Sequence, residues 1–237
     1  MNEQQYWLAQ HVHLCVTDHY AVLLDLRRDK YLGVGREHMQ ALAASVVGWP
    51  TMARPDNTAP QSSDALLNKM LSEGMLTSDP AVGKNALPLA LPSQQSIAIE
   101  ADLECRPQIS VRQVWQVLAA AATAKALLKW RPIEAVVARV EKRKRRRCTA
   151  DTFDFDAARP LVDAFLYLRP LFFTTKEKCL FDSLVLVELL ARHNLFPVWL
   201  FGVSTNPFKA HSWVRGGDYV LNDQPERVSR FTPILAV

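Results

Sequence analysis

The sequence predicts an α+β protein built in two parts. Three observations carry that prediction. Short β-competent segments fill residues 11 to 35, helical apolar spacing follows them, and a second helix-rich region closes in further β-competent segments after Val198. Between the two, Thr77 to Gln108 has no periodicity and is punctuated by Pro80, Pro88, Pro92 and Pro107. Unstructured stretches that long are uncommon inside one compact domain. The expected division is therefore 1–80, a linker over 81–108, and 109–237.

The first part opens with His11 to Val16, which alternates in polarity, and Tyr20 to Leu26, which is β-competent. A polar turn over Arg27-Arg28-Asp29-Lys30 leads into Tyr31 to Val34, so a three-stranded antiparallel sheet is expected. From Arg36 to Val47, Met39, Leu42, Ala43, Val46 and Val47 recur at helical spacing, and Gly48 and Pro50 end the element. After the turn-rich MARPDNTAPQ, Ser62 or Ser63 is placed to cap a second helix. Asp64 lies in its first turn, Leu66, Leu67, Met70 and Leu71 on one face, and Gly74 at its stop.

The second part starts with Ser110 as a helix cap and runs through Val114, Val117, Leu118 and the alanine-rich stretch to Trp130. Pro132 begins another helix through Ile133, Val136, Val137 and Val140 into a basic run. An apolar helical pattern over Leu161 to Leu168 is expected to end before Pro170. The last helix begins near Lys178, buries Leu180, Leu184, Val187, Leu190 and Ala191, and is capped by Asn194. Val198 to Val203 is a strand, and two more strands flank Gly216-Gly217-Asp218.

Composition excludes several classes. The longest apolar run, Val117 to Leu128, carries Thr123 and Lys125 and falls short of the roughly 20 residues that span a bilayer. No basic segment precedes an apolar one at the N-terminus, so no signal peptide is expected and the cytoplasm is the expected location. Cys15, Cys105, Cys148 and Cys179 form no CxxC pair, and the histidines no HExxH spacing. His11 and His13 read as solvated rather than metal-binding, so no metal site is expected. The formal charge of +4 is local: without Lys142, Arg143, Lys144, Arg145, Arg146 and Arg147 it becomes −2.

The chemistry concentrates between Lys178 and Asp223. Cys179 opens a helix, His211 sits in an extended segment, and Asp223 closes the next one. Thiol, imidazole and carboxylate in that order are the parts of a nucleophilic hydrolase. A helix N-terminus favours a thiolate, Lys176 and Lys178 add positive potential, and Asp182, one turn on, opposes it. Directly opposed hairpin residues share a face. A three-residue loop over Gly216-Gly217-Asp218 puts His211 opposite Asp223, whereas a two-residue Gly216-Gly217 loop puts Asp223 opposite Ala210. The functional reading therefore expects an odd loop, with Trp213 on the face of His211. From residue types alone a second meaning stays open, because a cysteine in an apolar helix is more often packing than a nucleophile.

KCLFDSL, then GVSTNPF, AHSWV and VLND resemble the transglutaminase-like cysteine peptidases called B proteins of lasso-peptide biosynthesis, over about Leu168 to Asp223. The resemblance implies a transglutaminase-like, papain-like domain with helices packed on an antiparallel sheet. It implies Cys179 as nucleophile, His211 as general base and then general acid, and Asp223 as the orienting carboxylate of a leader peptidase. It implies no prosthetic group, and it does not decide whether ATP is needed. The implied partners are the precursor's leader peptide and an asparagine-synthetase-like lasso cyclase.

The N-terminal strands and helices are similar to the winged-helix-like PqqD-like domains that recognise precursor peptides. Such domains add the leader as a strand to a sheet edge. Tyr31, Leu32 and Val34 on the third strand and Leu66, Leu67 and Met70 on the second helix are the leader-binding candidates. A core role for each is an equally open reading. Two other functions compete. A winged-helix-like unit with a basic run over 142–147 suits nucleic acid, although a solvated helix end is the commoner meaning of such a run, and the reading with no nucleic-acid partner is preferred. The same acyl-enzyme could also be resolved by an amine, giving transglutaminase-type transfer. A catalytically dead scaffold is the third possibility, which an intact triad disfavours.

Overall fold

The computed structural model describes residues 5–18, 20–51, 64–91, 97–98, 109–148, 153–172 and 179–237. Its contacts divide the chain into two units. The first holds Met1–Leu91 with Val203–Lys209 and Thr232–Leu235, and the second holds Pro92–Gly202, Ala210–Phe231 and Ala236–Val237.

In the first unit, β2 (Val12–Val16), β3 (Tyr20–Asp25) and β4 (Lys30–Gly35) form the expected antiparallel sheet, with β3 in the centre. Its register runs from Val12 opposite Asp25 on one side of β3 to Asp25 opposite Lys30 on the other. Asp29, at φ 51°, takes the left-handed position of the turn. The Asp25 carboxylate accepts the N–H groups of Arg27 and Arg28 at 2.9 and 3.2 Å. His11 is not solvated as expected: it is buried, with Nε2 3.6 Å from Asp25 Oδ1. Burial and the nearby Lys84 charge lower the His13 pKa to about 4.

Helices α1 (Arg36–Ser45) and α2 (Asp64–Ser72) follow. The proposed caps Ser62 and Ser63 lie outside the described residues. Gly74, at φ 70°, ends α2, and the N–H groups of Gly74 and Met75 close back on the carbonyls of Leu71 and Met70. A second sheet, in which β1 (Trp7–Ala9) pairs with both β5 (Leu76–Thr77) and β6 (Gly83–Lys84), has no counterpart in the sequence reading. Strands of two or three residues carry no periodicity, and their partners are some 70 residues away. They extend the first unit past residue 80: Gly83–Lys84 and the core residue Ala86 fall where a linker was expected. The core gathers Leu8, Leu14, Leu23, Val34, Leu42 and Met70 around Met39, Val46 and Trp49.

The second unit is built on helices. Ser110 caps α3 (Val111–Trp130) in a complete capping box with Gln113. Pro132 precedes α4 (Ile133–Arg147). α5 (Phe155–Phe172) is longer than expected, starting before Leu161 and running through both Pro160 and Pro170. Each proline costs one intrahelical bond, about 3 kcal/mol. Full burial of Ala158, Val162 and Phe165 offsets that cost in a way that local sequence rules do not register.

α6 (Cys179–Ala191) packs against α3 and α5, and every residue from Asp182 to Ala191 is buried. CLFDSLVLVELLA is apolar on nearly all sides, which is the pattern of a central helix rather than a surface one. Asn194 takes a left-handed φ of 59° after its end. Strands β7 (Ile97–Ala98), β8 (Val198–Thr205), β9 (Phe208–Gly216), β10 (Tyr219–Val220) and β11 (Thr232–Ala236) form one sheet in the order β11-β8-β9-β10-β7. The pairing of β10 with β9 is antiparallel and that with β7 parallel. The short helix α7 (Pro225–Val228) lies between β10 and β11.

Candidate active site

Cys179 is the first residue of α6, where backbone N–H groups lack intrahelical acceptors and the helix dipole favours an anion. Lys176 and Lys178 lie outside the described residues. Burial raises the thiol pKa, but hydrogen bonds to His211 and to the backbone of Ser212, with the charge of His211, outweigh it and hold the thiol below its ordinary value. Cys15 shows the contrast: inside the first unit burial outweighs a backbone hydrogen bond at Val22 and pushes its thiol up to about 12.

His211 on β9 is itself buried, and its Nε2 lies 2.6 Å from Asp223 Oδ2. The other ring nitrogen is left for the thiol. Burial disfavours the imidazolium, yet the hydrogen bonds to Asp223 and Cys179 raise its pKa to about 9. Asp223 is shifted the other way. Burial raises its pKa, but His211, the Gln224 N–H at 2.8 Å and the Arg227 guanidinium together hold it below the usual carboxylate range. The three groups form a row in which each charge favours the next.

The loop that brings them together is not the odd loop expected. Gly216 opposes Tyr219 and Arg215 opposes Val220, so the turn is the two-residue Gly217-Asp218, with Gly217 at φ 57°. Carried on, that register would set Asp223 opposite Ser212, on the wrong face. The ladder stops first. Leu221 N–H still donates to Val214 O at 2.9 Å, but the Val214 N–H is taken by the Asn222 side chain, Oδ1, at 2.8 Å. The chain bends over residues 221–223, and the bend turns the Asp223 carboxylate onto His211.

A second polar layer holds that bend. Asn222 Nδ2 donates to Asp182 Oδ2 at 2.9 Å, and Arg169 donates to the Asn222 carbonyl at 2.8 Å and to Asp182 Oδ2 at 3.3 Å. Asp182 thus points to Asn222 and Arg169; burial raises its pKa against the pull of Arg169. Behind it Ser183, Ser212 and Trp199 share hydrogen bonds of 2.8 to 3.0 Å that tie α6 to β8 and β9. Trp213 stacks near His211 with centroids 5.9 Å apart, and Phe231 covers the ring at 4.9 Å. Gly202 makes room for this wall: a Cβ there would lie 2.8 Å from the Trp213 ring.

The profile of the transglutaminase-like superfamily matches residues 96–236, more than half of the chain and the whole of this site. The chain belongs to the transglutaminase-like superfamily. One relative of this transglutaminase-like chain is the microcin J25-processing protein McjB of Escherichia coli, 36% identical over 62 residues. That match covers 26% of the chain and 30% of the relative, so less than a third of either protein is compared. No solved structure matches.

Of the predicted site residues of this transglutaminase-like chain, Cys179, His211 and Asp223 come together. The leader-binding candidates divide. Val34 and Met70 are in the core of the first unit, because β4 and α2 turn those positions inward. Tyr31 is half-buried and meets Phe208 of the same unit edge to face at 5.5 Å, while Leu32, Leu66 and Leu67 pack half-buried on the core. The basic run is not wholly solvated. Arg143 reaches the buried Glu188 at 2.8 Å, and Lys144 donates to the carbonyls of Pro197 and Val237 at 3.3 Å. Among the described residues no group of three or more His, Cys, Asp or Glu could hold a metal, and no helix is long and apolar enough to cross a membrane. Arg169 and Asn222 carried no signal of their own in the sequence, beyond Asn222 being the neighbour of Asp223 in VLND.

Proposed function

We propose that this chain is a cysteine peptidase that removes the leader from a ribosomally made lasso-peptide precursor. The observation that carries the reading is the row Cys179–His211–Asp223, with the thiol held low and the imidazole held high. The family supports a thiol acyl-transfer centre, and the microcin-processing relative supports a peptide substrate.

In this reading the leader docks on the N-terminal unit along the edge strand β4, near Tyr31 and Leu32, with Leu66 and Leu67 on the adjoining helix face. Tethering raises the local concentration of the scissile bond. The Cys179 thiolate attacks the scissile carbonyl, and the backbone N–H of Cys179, at the helix start, is one donor to the oxyanion. His211 gives its proton to the departing amine of the core peptide, leaving the leader as a thioester on Cys179. His211 then takes a proton from water, whose oxygen replaces sulfur and frees the leader carboxylate. The released core peptide is a substrate for a lasso cyclase of the asparagine-synthetase-like kind, and both act in the cytoplasm.

The test is mass spectrometry of a lasso precursor from the same genome after incubation with the full chain. Free leader ending in a carboxylate is the expected product. Cys179→Ala is expected to abolish it while leader binding persists. Cleavage by that variant at near the parent rate contradicts the assignment, and an amide-linked leader product would mean transfer to an amine instead of hydrolysis.

A further inference from the structure

We propose that the second unit carries a binding site for a compact ligand with two or three linked phosphates, in the cavity walled by α3, α4 and α6. Nothing in the peptidase chemistry above uses this cavity. It has a volume of about 670 Å³, within the range of about 300–1,000 Å³ typical of small-molecule sites.

Its lining is the reason. Arg139, Lys142, Arg143, Arg146 and Arg147 recur at i, i+3, i+4, i+7 and i+8, which puts five positive charges on one face of α4. Arg192, just past the end of α6, adds a sixth. Like charges at that spacing repel one another. The helix dipole favours cations only in the last turn, which covers Arg146 and Arg147 but not Arg139 or Lys142. Among the described lining residues a single carboxylate, Glu188, answers them, with Arg143 at 2.8 Å and Arg139 at 3.8 Å. Arg143 still has Nε and Nη2 buried with no hydrogen-bond partner among the described residues. Such a stripe on a solvated helix would need no explanation. This one faces two neighbouring helices across a concavity.

Five of the six cations are arginines, whose planar forks match the paired oxygens of phosphate groups. Among the described residues no aromatic side chain lines the cavity, so they offer no platform for stacking a base, and single-stranded nucleic acid is poorly suited. Recognition therefore rests on the phosphates, and either an inorganic polyphosphate or the phosphate tail of a nucleotide could supply them.

Isothermal titration of the full chain with sodium tripolyphosphate tests this, alongside a nucleoside triphosphate, a polyglutamate peptide and a short DNA duplex. One site per chain, weakened by added salt, is expected. The exposed triple variant Lys142→Gln, Arg146→Gln, Arg147→Gln should lower affinity by at least about tenfold. Arg145→Gln, on the same helix but outside the cavity and paired with Glu141, and Cys179→Ala should leave it unchanged. Equal affinity for tripolyphosphate and nucleoside triphosphate supports recognition of the phosphates alone, and tighter nucleotide binding supports the site with a nucleotide as the source. The absence of any phosphate binding, binding indifferent to the triple variant, or polyglutamate or DNA binding as tightly as tripolyphosphate would overturn the proposal.

Discussion

The two ends of α6 handle buried charge in opposite ways. At its first residue, Cys179 enters a row in which thiol, imidazole and carboxylate alternate in sign, and Asp223 is satisfied at its far side by Gln224 and Arg227. Nine residues on, Glu188 is nearly inaccessible and meets two arginines of α4, with more positive charge around it than it can balance. Both ends lie in the same helix bundle. A balanced row can hold reactive protonation states in place, whereas an unbalanced cluster stores an appetite for an anion. Burial disfavours charge at both ends, and only the partners differ.

The largest effect expected from breaking the balanced end is on rate. Asp223→Asn removes the negative charge that holds the His211 ring in its tautomer and favours its cation, and kcat/KM for precursor cleavage should fall by roughly 10²- to 10⁴-fold. The pH profile sharpens the point. In the parent, the proposed activity should fall on the acid side as the thiolate protonates and on the alkaline side as His211, raised to about 9, loses its proton. Because Asp223 is a cause of that raised value, the alkaline limb of the variant should move down in pH. An unmoved limb would mean that the pair does not titrate as described.

At the other end the expected effect is on stability. Glu188→Ala leaves Arg143 without its partner in a largely buried site, at a cost of about 3–5 kcal/mol, read from the denaturant midpoint. Cys179 reactivity in the folded fraction should be unchanged, since the carboxylate lies outside the Cys179–His211–Asp223 row. A smaller effect, about 1–3 kcal/mol, is expected for Asn222→Ala, which strips the Val214 N–H and Asp182 of a partner. Here the diagnostic is kinetic: kcat should fall with KM little changed, because the bend that aims Asp223 is loosened while the substrate surface is untouched.

Much of the Cys179 end was legible in the sequence. A cysteine at a helix start, a histidine in the next hairpin and an aspartate beyond it follow from residue order and from glycine at the turn. Ser110, Gly74 and Asn194 likewise announced their caps. The register was not legible. Counting from the turn assumes that the ladder runs on to Asp223, but it ends at Val220, and a side chain, Asn222, takes over one backbone bond. Nor were the short strands β1, β5 and β6, whose partners are distant in sequence, or the passage of α5 through two prolines, which is carried by burial rather than propensity. In the basic run the charge was plain, but not that a buried glutamate on another helix would draw part of it inward.

The central claim is that His211 holds Cys179 as a thiolate. Its most direct test is the rate of Cys179 alkylation by iodoacetamide across pH, followed at the Cys179 peptide by mass spectrometry, in the parent and in His211→Ala. Labelling of the parent is expected below the ordinary thiol range of pH, with the profile shifting upward when the imidazole is removed. A parent profile already in the ordinary thiol range, or one that His211→Ala leaves in place, would contradict it.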